Sequence, residues 1–251
     1  MAKIISVHSF RGGTGKSNTT ANLASLIAAR GQRVGVVDTD IQSPGIHILF
    51  GLDEDTMEHS LNDYLYGKCE IKDAAYDVTP LLGVPISGKV FLAPASVKSG
   101  EIIQFLKEGY DPGVLNEGFQ QLIEDLALDV LMIDTHPGLN EETLLSIAIS
   151  DELVIILRPD QQDYQGTGVT VEIARKLDVP ELLLLVNKVP SSLDPERLKA
   201  RVEQIYDSEV AGVVPHSDEM MALASAGIFA LRFPDHPITV KLKEVANRLM
   251  M

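Results

Sequence analysis

Between Ser9 and Ser17 the chain reads SFRGGTGKS, and these residue types in this order suit the holding of a polyphosphate. Gly12, Gly13 and Gly15 let backbone amides approach an anion with no Cβ in the way. Lys16 supplies a point charge for β- and γ-phosphates, and the Ser17 hydroxyl is placed to ligate Mg²⁺. The flanking elements fit that use. Ile4-Ile5-Ser6-Val7 is an apolar run that reads as a buried strand. After the loop, TTANLASLIAAR carries Leu23, Leu26 and Ile27 at helical spacing and is stopped by Gly31. A helix starting there offers unpaired N–H groups and the positive end of its dipole to the anion. A glycine turn with a chance lysine would leave the shared register of strand, helix and Ser17 unexplained.

Three further signals fall where apolar runs end: DTD at 38–40, DTHPG at 134–138 and NK at 187–188. In an open α/β sheet, ligands bind beyond the carboxyl ends of the strands. Asp134, closing an apolar strand, reads as a carboxylate that holds Mg²⁺ through its water shell. Asp38 and Asp40 stand close enough to a γ-phosphate to orient a water. A strand-terminal aspartate can also cap a helix, but four strand ends point to one site. His136 reads as a loop residue that adjusts this region rather than as a general base. The remaining histidines, His8, His47, His59, His216 and His236, show no metal-ligand spacing.

The elements that must position these groups alternate strand and helix along all 251 residues, the pattern of one domain with a parallel sheet covered on both faces. Strands are expected at Arg33–Val37, around Lys89, before Asp134, at ELVIIL (152–157), at ELLLLVNKV (181–189) and at Glu209–Val214. Helices are expected at Ser60–Tyr66, Ser96–Lys107, Gly113–Leu126, Asp194–Tyr206 and from Ile238, with RPDQQDYQG read as a connection into a helix ending near Leu177. Hydrophobic residues make up 45% of the chain, enough for a sizeable core. No run approaches the ~18 apolar residues of a membrane span, and MAKIISV leads straight into a strand, so no signal peptide is expected. Cys69, the single cysteine, fits a reducing cytoplasm and a structural role. A net charge of −15 argues against a generally basic surface.

The pattern G-x-x-x-x-G-K-[ST] is not met, because Phe10 stands at its first glycine. Arg11 to Ser17 resembles instead the deviant loop K-G-G-x-G-K-[ST] of the ParA/MinD family, with Arg11 for the first lysine. VGVVDTDIQSPGIHILFGL resembles that family's segment after the second strand, and DVLMIDTHPG resembles its D-[ST]-P-[AP]-G, with His136 where proline is usual. The likeness covers nearly the whole chain. It implies a single-domain α/β P-loop NTPase whose mostly parallel, twisted sheet is flanked by helices on both faces. It also implies ATP and Mg²⁺ as ligands and a weak intrinsic ATPase activity. Arg11, Gly12, Gly13, Thr14, Gly15, Lys16, Ser17 and Asn18 would contact the nucleotide, and Ser17, Asp38 and Asp134 would serve the metal. Lys16, Asp40 and Asp38 would be catalytic, with Asp40 positioning the attacking water. Asn187 would read the adenine edge, and the backbone from Pro215 to Asp218 would line the base.

Members of the family dimerise face to face around two ATP molecules, and the first lysine of the loop crosses to the partner's phosphates. Arginine keeps the charge but is a planar fork, not a compact ammonium. A subset that includes carboxysome-spacing ATPases also lacks this lysine. If Arg11 does not bridge, Arg158 is the candidate, with a plain surface arginine as the other reading. The expected function is a cytoplasmic, nucleoid-associated switch that partitions or positions a plasmid, chromosome or protein organelle. It would form an ATP-dependent homodimer, bind non-specific DNA and answer to a stimulating adaptor protein. A MinD-like membrane regulator and a metabolic enzyme of related fold are the rivals. The chain stops at Met251 beside the last helix, which speaks against a membrane tail, and Lys241, Lys243 and Arg248 on that helix are the expected basic patch.

Overall fold

The computed structural model describes residues 2–251, and its centre is a sheet of eight strands. In chain order these are β1 (Lys3–His8), β2 (Arg33–Asp38), β3 (Tyr76–Asp77), β4 (Lys89–Ala93), β5 (Val130–Asp134), β6 (Glu152–Leu157), β7 (Glu181–Val189) and β8 (Glu209–Pro215). Their spatial order is β3-β4-β2-β5-β1-β6-β7-β8. All neighbours run parallel except the short edge strand β3, which pairs antiparallel with β4. The inner strands are buried on both faces, as in β5 and β6, where every residue is buried. That is why they read as unbroken apolar runs and not as alternating ones.

One face of the sheet is covered by helices Lys16–Ala28, Ile46–Phe50, Phe229–Arg232 and Pro237–Leu249, which share a core with the inward residues of β1, β2, β4 and β5. The other face carries Leu61–Leu65 and Pro112–Asp125 over one half, and Gln161–Lys176 and Pro195–Tyr206 over the other. Ile238, Leu242, Val245 and Leu249 of the last helix are all buried in the first of these cores, so its apolar face is occupied.

Two expectations change. The helix read as starting after RPDQQDYQG begins at Gln161, capped by the Asp160 carboxylate accepting from the amides of Gln162 and Asp163. Gly166 sits inside it because the Phe10 ring lies there: a Cβ at Gly166 would stand 2.1 Å from Phe10 Cδ1. Nor do the last helix's cations form a free basic patch. Lys241 pairs with Glu244 at 2.9 Å, and Arg248 engages Glu181, Glu209 and Glu152. Lys243 donates to the carbonyl of Pro234 at 2.8 Å, so each of the three cations already has a partner within the fold.

Candidate nucleotide site

Gly13 and Gly15 take positive φ values of 79° and 95°, the left-handed region that glycine enters without penalty. Gly15 is also the residue on which the helix Lys16–Ala28 starts. Its missing side chain admits Asn187, whose Nδ2 would lie 2.5 Å from a Cβ there and donates to the carbonyl of Thr14 at 2.8 Å. Lys188 reaches the same loop, donating to the carbonyl of Gly13 at 2.7 Å. The strand end of β7 thus braces the loop from one side.

From the other side comes a charged layer. Parallel register sets Asp38 of β2 directly beside Asp134 of β5, and Val7 of β1 beside Asp134. The Lys16 ammonium lies 2.9 Å from Asp134 Oδ1, and the Thr20 hydroxyl is 3.0 Å from the same oxygen. Asp38 is buried with its carboxylate accepting from the amides of Asp40 and Gly45. Burial, and then the Asp134 charge, push its carboxyl up to about 8, because a second carboxylate in a low dielectric disfavours ionisation. His8 closes β1 beneath this layer. The Thr135 hydroxyl donates to Val7 O, so its oxygen accepts the His8 Nδ1 proton at 2.8 Å. Burial, with the charges of Lys16 and His136, holds His8 down at about 3, which keeps it neutral.

The donor set suits a hard divalent cation together with phosphate. Asp134 Oδ2 is buried without a partner, the Asp38 carboxylate lies alongside, and the half-buried Ser17 hydroxyl stands at the helix start. Oxygen donors of this kind are what Mg²⁺ takes, usually completed by water and substrate oxygens. Among the described residues no group of three or more His, Cys, Asp or Glu side chains could hold a metal ion by itself.

A cavity of about 250 Å³ opens beside the loop, lined by Gly15, Asn18, Asn187, Pro215 and Met220 among others. Its shape and apolar walls suit a planar base. Of the segment expected to line it, Pro215, His216 and Ser217 do so. Asp218 does not: its side chain is 95% exposed and pairs with His216 at 3.3 Å. Arg11 points away from the loop toward the start of the helix Gln161–Lys176, with its Nη1 3.5 Å from Asp163 and 3.9 Å from Asp160. Arg158 holds the same two aspartates at 3.1 Å each. Both bridging candidates therefore share one acidic pair. Asp40 lies beyond the strand end, and its Oδ1 meets His136 Nδ1 at 2.7 Å. Thr20 and His8 escaped the sequence reading. Thr20 carries a signal, since it lies one turn after Lys16 on the same helix face, whereas only the sheet register brings His8 under the loop.

A family model described as an AAA domain matches residues 2–179. An uncharacterized ATP-binding protein of Methanocaldococcus jannaschii is 30% identical over 251 residues, spanning 100% of this chain and 88% of that protein. The chain belongs to the ParA/MinD family of P-loop ATPases. Within the family, the septum site-determining protein MinD of Bacillus subtilis is 23% identical over 263 residues, with 100% and 90% covered. Among solved structures, the cell division ATPase MinD of Pyrococcus furiosus superposes with a TM-score of 0.82 at 21% identity, covering 100% of this chain and 99% of that one. MinD of Pyrococcus horikoshii, solved with Mg-ADP, gives 0.80 at 21% identity, with 99% and 96% covered. These likenesses show that the chain shares their overall fold. No helix among the described residues is long and apolar enough to cross a membrane.

Proposed function

We propose that this ParA/MinD ATPase is a nucleotide-driven switch that positions or partitions an intracellular cargo, dimerising on Mg·ATP and released by partner-stimulated hydrolysis in the cytoplasm. The observation that carries the reading is the layer in which Lys16, Asp134 and Asp38 meet under a glycine loop. Such a layer is built for phosphate and metal. The site-determining names of its relatives support the positioning role.

In this reading the loop amides and Lys16 bind the phosphates, Ser17, Asp38 and Asp134 hold the metal, and Asn187 with Pro215 receives the base. Bound Mg²⁺ would neutralise charge on the transferring phosphoryl group. Asp40 orients the attacking water. Arg11 leaves Asp163 and Asp160 to meet the partner's nucleotide. Arg11→Ala then weakens ATP-dependent dimerisation more than it weakens ATP binding, and Arg11→Lys preserves it. Equal dimerisation in all three proteins moves the role to Arg158.

Lys16→Gln is the direct test of the site, because it keeps a donor for Asp134 while removing the charge. It should lose binding of a fluorescent ATP analogue; unchanged affinity in a folded variant would overturn the reading. Duplex DNA, expected as the surface the dimer rides on, loses the support of the last helix, whose cations are partnered. A gel shift on random duplex against flotation with anionic liposomes, both with ATP, decides between DNA and lipid.

A further inference from the structure

We propose that His136 is a positioning residue for hydrolysis, acting through Asp40. The inference rests on the reading of Asp40 as the group that orients the attacking water. The Asp40 carboxylate is nearly buried, with 11% of its side chain exposed, yet few groups hold it. Ser43 N donates to Oδ1 at 3.2 Å and His136 Nδ1 meets the same oxygen at 2.7 Å. Because a carboxylate only accepts, the His136 Nδ1 proton is the one in that bond. A bond this short to a charged acceptor is the stronger of the two. Among the described residues, every hydrogen bond accepted by this side chain falls on Oδ1, so Oδ2 is left to accept from a water.

The backbone at Asp40 is anchored, its amide donating to Asp38 at 3.0 Å, but the direction of its carboxylate rests on Ser43 N and on His136, whose own segment is anchored elsewhere. Thr135 N donates to Val7 O at 3.2 Å and Gly138 N to Ser9 O at 3.2 Å, so the residues on either side of His136 are tied to β1 and the start of the phosphate loop. The Thr143 hydroxyl donates to the His136 carbonyl at 3.2 Å. The imidazole therefore carries the geometry of the phosphate loop across to Asp40, a residue on a different segment. A side chain in this place sets the direction of Oδ2 and leaves nucleotide affinity to the loop and Lys16.

The test is a double-mutant cycle on Mg·ATP hydrolysis, with fluorescent ATP analogue binding measured in parallel. His136→Ala should lower kcat about tenfold, the size seen when a group supporting a catalytic residue is removed, with KM and analogue affinity within about twofold. His136→Asn should recover most of the rate, because its Nδ2 reaches the place of the imidazole Nδ1. In an Asp40→Ala background, His136→Ala should have no further effect. Full activity in His136→Ala with activity lost in Asp40→Ala would overturn the inference alone. An additive loss in the double variant, or failure of His136→Asn to recover a rate while folding normally, would overturn it too. Full activity in Asp40→Ala would overturn both the inference and the reading it rests on.

Discussion

At the scale of single residues, two buried groups of the site, Asp38 and His8, are held away from their ordinary pKa values. Asp38 holds its proton up to about pH 8 in the fold, against 3.8 for the free side chain. Between those values the folded state binds a proton that the unfolded state has released. The stability this group contributes is whole below 3.8 and falls by ~1.4 kcal/mol per pH unit as pH rises toward 8. In nucleotide-free protein, the stability gap between wild type and Asp38→Asn should therefore move in the wild type's favour as pH is lowered through that window. A gap that stays constant in urea titrations would contradict the assignment. His8 works with the opposite sign. Its pKa falls from 6.5 to about 3, so below 6.5 the unfolded chain takes up a proton that the fold refuses, and stability is lost on acidification. His8→Asn should remove that loss, measured by the same titrations between pH 6.5 and 4. Asp38 was legible in the sequence as a strand-end carboxylate. Its raised pKa was not, because it comes first from burial within the folded sheet and then from Asp134, 96 positions away in sequence and adjacent only in the sheet.

At the scale of elements, apolar strands and capped helices were readable because their signals are local: an unbroken apolar run, an N-cap aspartate, a stopping glycine. The helix Gln161–Lys176 is the instructive exception. Gly166 and Gly168 weaken helix propensity, and RPDQQDYQG looks like a connection until Phe10 is placed beside Gly166. The glycine is there for contact, not for a turn. Gly166→Ala should cost about 1–3 kcal/mol, as overpacking does, despite alanine's better propensity. Adding Phe10→Ala should return part of it. Thermal unfolding of the single and double variants measures both, and a more stable Gly166→Ala would show that the two segments do not press together. The same contact packs the phosphate loop against the helix whose start holds Arg11 and Arg158.

At the scale of the whole molecule, the alternation of strands and helices pointed to the class of fold, and the four strand ends carrying DTD, DTHPG, NK and the glycine loop do lie at one end of the sheet, because both follow from chain order. Surface charge did not follow. The expected basic patch of Lys241, Lys243 and Arg248 disappears because Glu152, Glu181 and Glu209, at the starts of three separate strands, converge on Arg248. Arg248→Ala leaves the half-exposed Glu181 and Glu209 facing one another while the buried Glu152 keeps Lys3 at 2.7 Å, and should lower stability by about 0.5–1 kcal/mol in chemical denaturation, as for solvent-screened ion pairs. Nucleotide binding at the opposite end of the sheet should be unchanged in that variant. The central claim is that ATP, and not ADP, brings two chains together around this site. Light scattering of the Asp40→Ala protein, slowed in hydrolysis, measures that claim most directly. Twice the monomer mass with Mg·ATP and the monomer mass with Mg·ADP is the result expected; a monomer in both, with ATP demonstrably bound, would contradict the account.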